Sequence, residues 1–310
     1  MMEDFKILVG DNAFHGISHL SQERARARGE GILDPRSAAK IVRTSFENGA
    51  NGFMFSVSET TLAILREMRA APPQGRLSLF PIVPYAFEYV SRSTRSGGIA
   101  GMAKSFLFET LSSGHVGAVA RSARGYLLTD PRSLLDAYLT YELARVRSAA
   151  GPKAKVVSLL LHEVVTDMAL ALEFRWLFET HLDFSRRHGM RAGVETRNFA
   201  LLVDKLTSWD FPLKEVTIAA PFNRIGFLMT PSREECERAA WGADGAEVIA
   251  MSVLAAGYLK LQDAAAYVAG LSGLTGVVAG VSQEDQAAQT FGLLKKKLVL
   301  TPLRAERGPI

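Results

Sequence analysis

The sequence predicts an α/β fold, specifically a (β/α)₈ TIM barrel, and three observations support this. Short runs of β-forming residues occur eight times along the 310 residues, and each is followed by a pattern typical of a helix. Most of these runs are continuously apolar, as expected for strands that are covered on both faces of a parallel sheet. No G-x-G-x-x-G motif opens the chain, so a barrel is favoured over a doubly wound open sheet.

The eight predicted strands are distributed along the whole chain. The length would also allow two domains, but α/β barrels of this size commonly form one, and we expect a single domain over residues 1–310. The predicted strands are residues 7–10, 52–57, 77–83, 156–161, 191–194, 215–219, 247–252 and 275–279.

Three helix starts are marked by a capping residue that is followed by proline. Asp34-Pro35, Asp130-Pro131 and Thr230-Pro231 each offer a side-chain oxygen to the first backbone amides of a helix. Proline suits the next position because its missing N–H would have no partner in the first turn. The second of these starts opens the helix that we expect between strands 3 and 4.

The interval between strands 3 and 4 is longer than one helix and two loops require. Once the helix that starts at Asp130 is assigned, residues 91–129 are left as an insertion. The insertion follows the carboxyl end of a strand, where barrel enzymes place their chemistry. We expect it either to cover the site as a lid or to pack on the surface without a direct role.

Composition and charge exclude several classes of protein. With 48% hydrophobic and 22% charged residues, the chain is neither disordered nor a coiled coil. The net charge is +4 without a basic stripe, so no nucleic-acid partner is expected. No apolar run is long enough to span a bilayer, and the first residues do not resemble a signal peptide. The single cysteine, Cys236, excludes an internal disulfide, and we expect a cytoplasmic protein that binds a small molecule, with a homo-oligomer left open.

Polar side chains follow the predicted strands at their carboxyl ends, which converge on one mouth in a barrel. Acids, imidazoles, amides and arginines occur in these positions, a mixture that suits substrate binding and proton transfer. The candidates for catalysis or substrate binding are Asp11, Asn12, His15, Tyr85, His162, Glu195, Arg197, Asn198, Asn223 and Arg224.

His162 and Glu195 form the expected catalytic pair, with Asp11 as a third member. An apolar run leads into His162, and Glu195 takes the equivalent place on the next strand, about 4.8 Å away in the hydrogen-bonding direction. A carboxylate beside an imidazole raises the pKa of the histidine and fixes its tautomer, as acid–base catalysis requires. The alternative is a hydrogen bond that only satisfies two buried polar groups.

Cofactor and metal candidates are fewer. Gly280 and Ser282 lie at the start of the last helix, where barrels often bind phosphate, although Ser282 with Asp285 would also form an ordinary capping box. With Ser252, they are the candidates if a nucleotide or phosphate binds. A divalent metal at the acidic mouth remains open, but no tight ligand motif supports it, and no metal ligands are assigned. Cys236 has acidic neighbours that disfavour a thiolate nucleophile.

The last third of the sequence resembles the aldo/keto reductase superfamily. Residues 248–259, V-I-A-M-S-V-L-A-A-G-Y-L, are similar to that family's seventh strand, and residues 276–282 resemble its eighth strand. The run Leu159-Leu160-Leu161-His162 resembles its fourth strand, whose histidine belongs to the catalytic tetrad. The resemblance implies the barrel fold and an NAD(P) site along the last two strands.

The sequence departs from this family at the positions of the chemistry. Strand 2 lacks the expected Asp and Tyr, and strand 3 does not end in the lysine that lowers the pKa of that tyrosine. The arginine with which this family binds the 2′-phosphate of NADP is also missing from residues 282–290. Only His162 of the tetrad remains, and a lost general acid is worth roughly 10²- to 10⁴-fold in rate.

Three functions are therefore weighed. The departures favour a non-redox lyase or isomerase, with no cofactor preferred, in which His162 and Glu195 act on a small polar carbonyl- or acid-bearing substrate. The first alternative is a divergent NAD(P)-dependent oxidoreductase that draws its proton from Tyr85 or His162. The second alternative is a barrel that binds a ligand without catalysis.

Overall fold

Eight parallel strands hydrogen-bond side by side and close into a barrel in the computed structural model, which describes residues 5–15, 33–73, 75, 77–84 and 130–299. The strands are β1 (Lys6–Gly10), β2 (Gly52–Ser56), β3 (Leu77–Val83), β4 (Ala154–Val156), β5 (Ser158–Leu161), β6 (Arg191–Glu195), β7 (Val216–Pro221), β8 (Glu247–Met251) and β9 (Gly276–Gly280). The ring runs from β1 through β2, β3 and β5 to β9, and β9 pairs with β1. The predicted TIM barrel is confirmed.

The short strand β4 lies outside this ring and pairs only with β3. Leu79 of β3 is opposite Val156 of β4, whereas Ile82 is opposite Leu160 of β5. Between these two pairs β3 advances by three residues, from 79 to 82, whereas the partner segment advances by four, from 156 to 160. The one extra residue forms a bulge near Val157. The sequence predicted one continuous strand here, because a bulge leaves an apolar run unchanged.

The bulge sets the direction of the side chains that follow it. Leu160 belongs to the small apolar cluster inside the barrel, together with Leu8, Met54, Phe80 and Ile249. Side chains alternate between the two faces of a strand, so the position two residues after Leu160 also faces the barrel axis. That position is His162.

Nine helices in the described part of the chain surround the barrel. They are α1 (Pro35–Glu47), α2 (Glu59–Ala70), α3 (Pro131–Ala150), α4 (Glu163–Ala171), α5 (Arg175–Arg187), α6 (Phe199–Ser208), α7 (Arg233–Gly242), α8 (Leu261–Gly270) and α9 (Glu284–Leu298). A larger apolar cluster packs between these helices and the outer face of the strands. None of the helices within the described ranges is long and apolar enough to cross a membrane.

The helix starts test the capping predictions. Asp34 and Asp130 each accept hydrogen bonds from the two backbone amides that follow the proline, as predicted. The third prediction is wrong by two residues, since α7 begins at Arg233 and Ser232 accepts from the Glu235 amide in the capping role. The insertion predicted at residues 91–129 lies outside the described residues.

Candidate active site

The carboxyl end of β5 leads directly into the first turn of α4, and His162 is the residue between them. Its backbone amide donates to the Val83 carbonyl at 2.8 Å, which continues the sheet pairing for one residue. Its ring then caps the helix, with Nδ1 accepting from the Val164 amide at 3.2 Å. A neutral imidazole whose Nδ1 accepts carries its proton on Nε2. His162 is therefore held as the Nε2–H tautomer.

The charge state of His162 differs from the sequence-based expectation. Burial lowers the pKa of the ring below its ordinary value, and the Arg197 guanidinium lowers it further. The negative charges of Glu163 and Asp167 oppose this shift without reversing it. The expected rise in the pKa of His162 is wrong, because burial of the ring outweighs the nearby carboxylates. The ring is neutral at pH 7.

Glu195 is the last residue of β6 and lies on the other side of the same helix start. Its Oε2 accepts from the Glu163 amide at 3.4 Å, a long and weak hydrogen bond. Burial raises the pKa of Glu195 to about 8, and the charges of Glu163 and Asp11 add to the rise. The Glu163 amide and the Arg197 guanidinium act in the opposite direction. Glu195 is accordingly protonated at pH 7.

The structure brings His162 and Glu195 to one place without joining them directly. In the described structure their side chains contact neighbouring backbone amides of α4, those of Val164 and Glu163, and not each other. The two groups are held by the same helix end, so their positions depend on one another through the backbone.

Asp11 lies at the same mouth, immediately after β1. It is buried, and its Oδ2 accepts from the Ser56 amide at 2.9 Å and from His15 Nε2 at 3.1 Å. The contact with Ser56 fastens the end of β1 to the end of β2. The charge of Asp11 acts on Glu195, so the two side chains lie at the same end of the barrel, and the catalytic roles of Asp11, His162 and Glu195 stay predictions.

The loop after β6 is fastened to α4 by two acids of that helix. Arg197 donates through Nε to Glu163 Oε2 at 2.8 Å and through Nη2 to the other oxygen, a bidentate pair. Asp167 accepts from Thr196 Oγ1 at 2.5 Å and from the Arg197 amide at 3.2 Å. Asp167 and Thr196 were not among the predicted site residues. The available signal was the four-residue spacing of Glu163 and Asp167, which places both acids on one helix face.

The other predicted substrate-binding residues occupy varied positions. Asn223 is buried; its side-chain Nδ2 donates to the Phe227 carbonyl and its Oδ1 accepts from the Phe227 amide, both at 2.8 Å. Arg224 is exposed on the same loop, and Asn198 precedes α6 with its backbone amide on Thr196 Oγ1. Asn12 is exposed in a short 3₁₀ turn, Asn12–His15. Tyr85 lies outside the described residues, and the substrate roles of all of these residues stay predictions.

Two glycines lie side by side at the mouth end of β1 and β9. Gly10 and Gly280 are paired across these strands, and a Cβ added at Gly280 would lie 3.9 Å from its nearest neighbours, whereas one at Gly10 would lie 3.1 Å from Val278 Cγ2. After β8, Ser252, Ala255 and Ala256 have positive φ angles of 53°, 45° and 58°. Non-glycine residues in this conformation are strained and are found most often at binding and catalytic sites.

The start of α9 differs from the predicted capping box. Gln283 is the N-cap and makes no side-chain capping bond, while the amide of Ser282 donates to Gln286 Oε1 at 3.3 Å. Ser282 therefore does not pair with Asp285 as expected, since the Gln286 side chain reaches it first. The first turn carries two acids, Glu284 and Asp285.

Metal binding was left open by the sequence. Among the residues that the structure describes, no three His, Cys, Asp or Glu side chains converge closely enough to hold a metal ion. The acids of the mouth are instead divided between backbone amides, His15 and Arg197.

Comparison with known proteins adds a fold relationship. Neither a protein-family model nor a curated protein matches the sequence. Among solved structures, a Pseudomonas aeruginosa protein assigned to the aldo-keto reductases matches with a TM-score of 0.57 and 13% identity, over 94% of this chain and 90% of that chain. An aldo-keto reductase from Klebsiella pneumoniae in complex with NADP and acetate matches with a TM-score of 0.50 and 12% identity, over 98% and 94%. The chain has the aldo-keto reductase fold.

A further aldo-keto reductase from Klebsiella pneumoniae, in complex with NADPH, matches with a TM-score of 0.50 and 11% identity, over 95% of this chain and 90% of that chain. These neighbours correct the prediction of a lyase or isomerase, because they support the oxidoreductase alternative. The sequence favoured the non-redox function because the tyrosine and lysine of the aldo-keto reductase pattern are missing. Their absence leaves the fold intact.

Proposed function

We propose that the protein is a nicotinamide-nucleotide-dependent oxidoreductase that interconverts a small carbonyl compound and its alcohol. The proposal rests on one observation, the position of His162 at the mouth of an aldo-keto reductase fold with its Nε2–H held as a donor. This histidine matches the one tetrad position that the sequence retains.

The residues of the mouth fit a nucleotide. Gly280 leaves the wall at the end of β9 open to a flat group, since a side chain there would occupy that space. The first amides of α9 have no side-chain cap, and amides at a helix start suit the phosphates of a dinucleotide. Glu284 and Asp285 in the same turn disfavour an additional 2′-phosphate.

The chain's own residues bind and polarise the substrate. A bound nicotinamide nucleotide supplies the hydride for reduction or accepts it for oxidation. His162 donates its Nε2–H to the carbonyl oxygen and draws electron density from the carbonyl carbon. Because the pKa of His162 is lowered, the ring stays a neutral donor with a fixed tautomer. Asp11 holds the backbone of Ser56 and the His15 ring, which keeps the opposite wall of the mouth in place.

Nucleotide binding is the most direct test. Gly280→Val places a side chain in open space at the mouth, so it should remove binding of NADH and NADPH, measured by nucleotide fluorescence, without lowering the melting temperature. Gly292→Val on α9 is the matched control, since a Cβ at Gly292 also meets no atom within 4 Å. The control should bind nucleotide normally.

Turnover is the second part of this test. The unmodified protein should oxidise NADH or NADPH in the presence of small aldehydes, with a KM in the usual range of about 1 μM to 1 mM. Absence of saturable nucleotide binding up to about 1 mM would contradict the proposed function.

A further inference from the structure

Reduction of a carbonyl to an alcohol needs a proton as well as a hydride, and the tyrosine and lysine of the aldo-keto reductase pattern are missing here. We propose that Glu195 is the proton donor of this site. This inference rests on the proposed function, and it assigns to Glu195 a task that differs from that of His162.

The position of Glu195 suits proton transfer. Gly193 pairs with Leu160, which lies inside the barrel, so Glu195 two residues later also faces the barrel axis. Its Oε2 is directed to the Glu163 amide, and Oε1 has no protein partner within the described ranges. The residue is half-buried at the end of its strand, at the same end of the barrel as His162.

The charges around Glu195 keep it protonated. Arg197 binds both carboxylate oxygens of Glu163 on α4, so this guanidinium is already paired where it approaches Glu195. Asp11 approaches from the end of β1 with Ser56 and His15 as its partners, and Asp167 on α4 is bonded to Thr196. Among the residues that the structure describes, Glu195 has no ion-pair partner. Burial and the charges of Glu163 and Asp11 raise its pKa to about 8.

His162 cannot take this task at neutral pH. Its Nδ1 is used by the Val164 amide, and the lowered pKa leaves only one proton on the ring, at Nε2. Loss of that proton would create an imidazolate, which is far too basic to form here. His162 therefore binds and orients the oxygen, and a neighbouring carboxylic acid supplies the proton.

The proposed reduction transfers a hydride to carbon and a proton to oxygen. The hydride leaves the reduced nicotinamide nucleotide, which becomes oxidised, and its electron pair forms a C–H bond at the carbonyl carbon. The carbonyl oxygen forms an O–H bond as the O–H bond of Glu195 breaks. Glu195 is left as a carboxylate and takes up a proton from water before the next turnover. In alcohol oxidation the same carboxylate accepts the proton.

The protonation of Glu195 can be measured without turnover. In protein labelled with ¹³C at the glutamate side-chain carboxyl, one signal should titrate near pH 8 and be missing from Glu195→Gln. In Glu163→Gln a negative charge is removed and Arg197 is released, so the same titration should move to lower pH. A Glu195 signal that titrates near the ordinary value of 4.5 would overturn the proposal.

Kinetics test the role itself. Glu195→Gln should lower the turnover number for aldehyde reduction by roughly 10²- to 10⁴-fold, while the Kd for nucleotide stays within about twofold. In the unmodified protein, reduction should decline above about pH 8 and alcohol oxidation should increase, and Glu195→Gln should lose both dependences. Glu173→Gln, which changes an exposed glutamate paired with Lys205, is the matched control.

The outcomes separate the two proposals. If the unmodified protein reduces aldehydes and Glu195→Gln does so equally well with the same pH profile, the proton-donor role is wrong and the oxidoreductase function stands. If the unmodified protein binds no nucleotide and shows no turnover, both proposals are wrong. A loss of turnover with intact nucleotide binding and the titration near pH 8 supports both.

Discussion

His162 and Glu195 accept from two consecutive backbone amides at the start of α4: His162 Nδ1 from Val164 at 3.2 Å and Glu195 Oε2 from Glu163 at 3.4 Å. One helix end thus fixes the tautomer of the imidazole and the position of the carboxyl group. The same helix carries Glu163 and Asp167, which fasten the loop after β6. A junction between one strand and one helix therefore organises most of the site.

Substitution of His162 should separate its capping role from its role in catalysis. Asparagine is a good N-cap, so His162→Asn should retain stability close to that of the unmodified protein, whereas His162→Ala should lose about 1 kcal/mol of unfolding free energy. Both variants lack the Nε2–H and should lose roughly 10²-fold or more in turnover. Denaturant unfolding and aldehyde reduction are the two measurements. Full activity in His162→Asn would show that the histidine only caps the helix.

His181 should make stability depend on pH. It is fully buried on α5, its Nε2 lies 3.0 Å from both the Leu159 and Gly193 carbonyl oxygens, and burial lowers its pKa to about 4. Between pH 6.5 and about 4 the unfolded chain binds this proton and the folded chain does not. The free energy of unfolding should therefore fall as the pH falls through this window, by about 1.4 kcal/mol per pH unit from this group.

Glutamine at position 181 can donate to the same carbonyls but does not titrate. The pH dependence of unfolding should be shallower in His181→Gln than in the unmodified protein. His188→Gln, at the end of the same helix and only half-buried, is the control and should change the slope less. Equal slopes in His181→Gln and the unmodified protein would contradict the buried neutral histidine.

The nucleotide preference should favour NADH over NADPH. Residues 282–290 contain no lysine or arginine, and the first turn of α9 carries Glu284 and Asp285. Glu284 pairs with Lys40 at 2.9 Å. Glu284→Arg would therefore replace a negative charge by a positive one and free the Lys40 ammonium from this ion pair. This variant should bind NADPH more tightly than the unmodified protein does, with a smaller effect on NADH. Asp204→Arg on α6 makes the same charge change elsewhere and should leave the ratio of the two Kd values unchanged.

Cys236 should report global unfolding. It is the only cysteine, it is fully buried, and its thiol donates to the Thr230 carbonyl at 3.3 Å. Burial raises the pKa of the thiol to about 11, so almost no thiolate is present at pH 8. A thiol reagent should react only as fast as the protein unfolds, and the rate should rise with denaturant. Rapid labelling of the native protein would contradict this packing.

The barrel could be predicted from the sequence because its signals are local. Apolar runs mark strands that are covered on both faces, and Asp34 and Asp130 mark helix starts by chemistry that acts within three residues. The α7 start was misplaced because both Thr230 and Ser232 can cap, and only the backbone conformation selects between them.

The structure places three of the predicted site residues at one end of the barrel, but their hydrogen-bond partners differ from those expected. Strand ends identified His162, Glu195 and Asp11, since the topology of a barrel gathers these positions. The amide that each side chain accepts from depends on where α4 begins, and the sequence does not define that to one residue. The pKa of His162 was expected to rise because a carboxylate partner was assumed, whereas burial is the larger effect.

The number of residues between the bulge near Val157 and His162 decides which face of the sheet the histidine is on, because side chains alternate along a strand. Deletion of one residue between the bulge and His162 would turn every strand residue after the deletion to the opposite face of the sheet. The histidine would leave the mouth although its sequence neighbourhood looked unchanged. During divergence, this strand can accept length changes only in pairs, or at the bulge itself, so an alignment that omits the bulge would assign the wrong residue to the site.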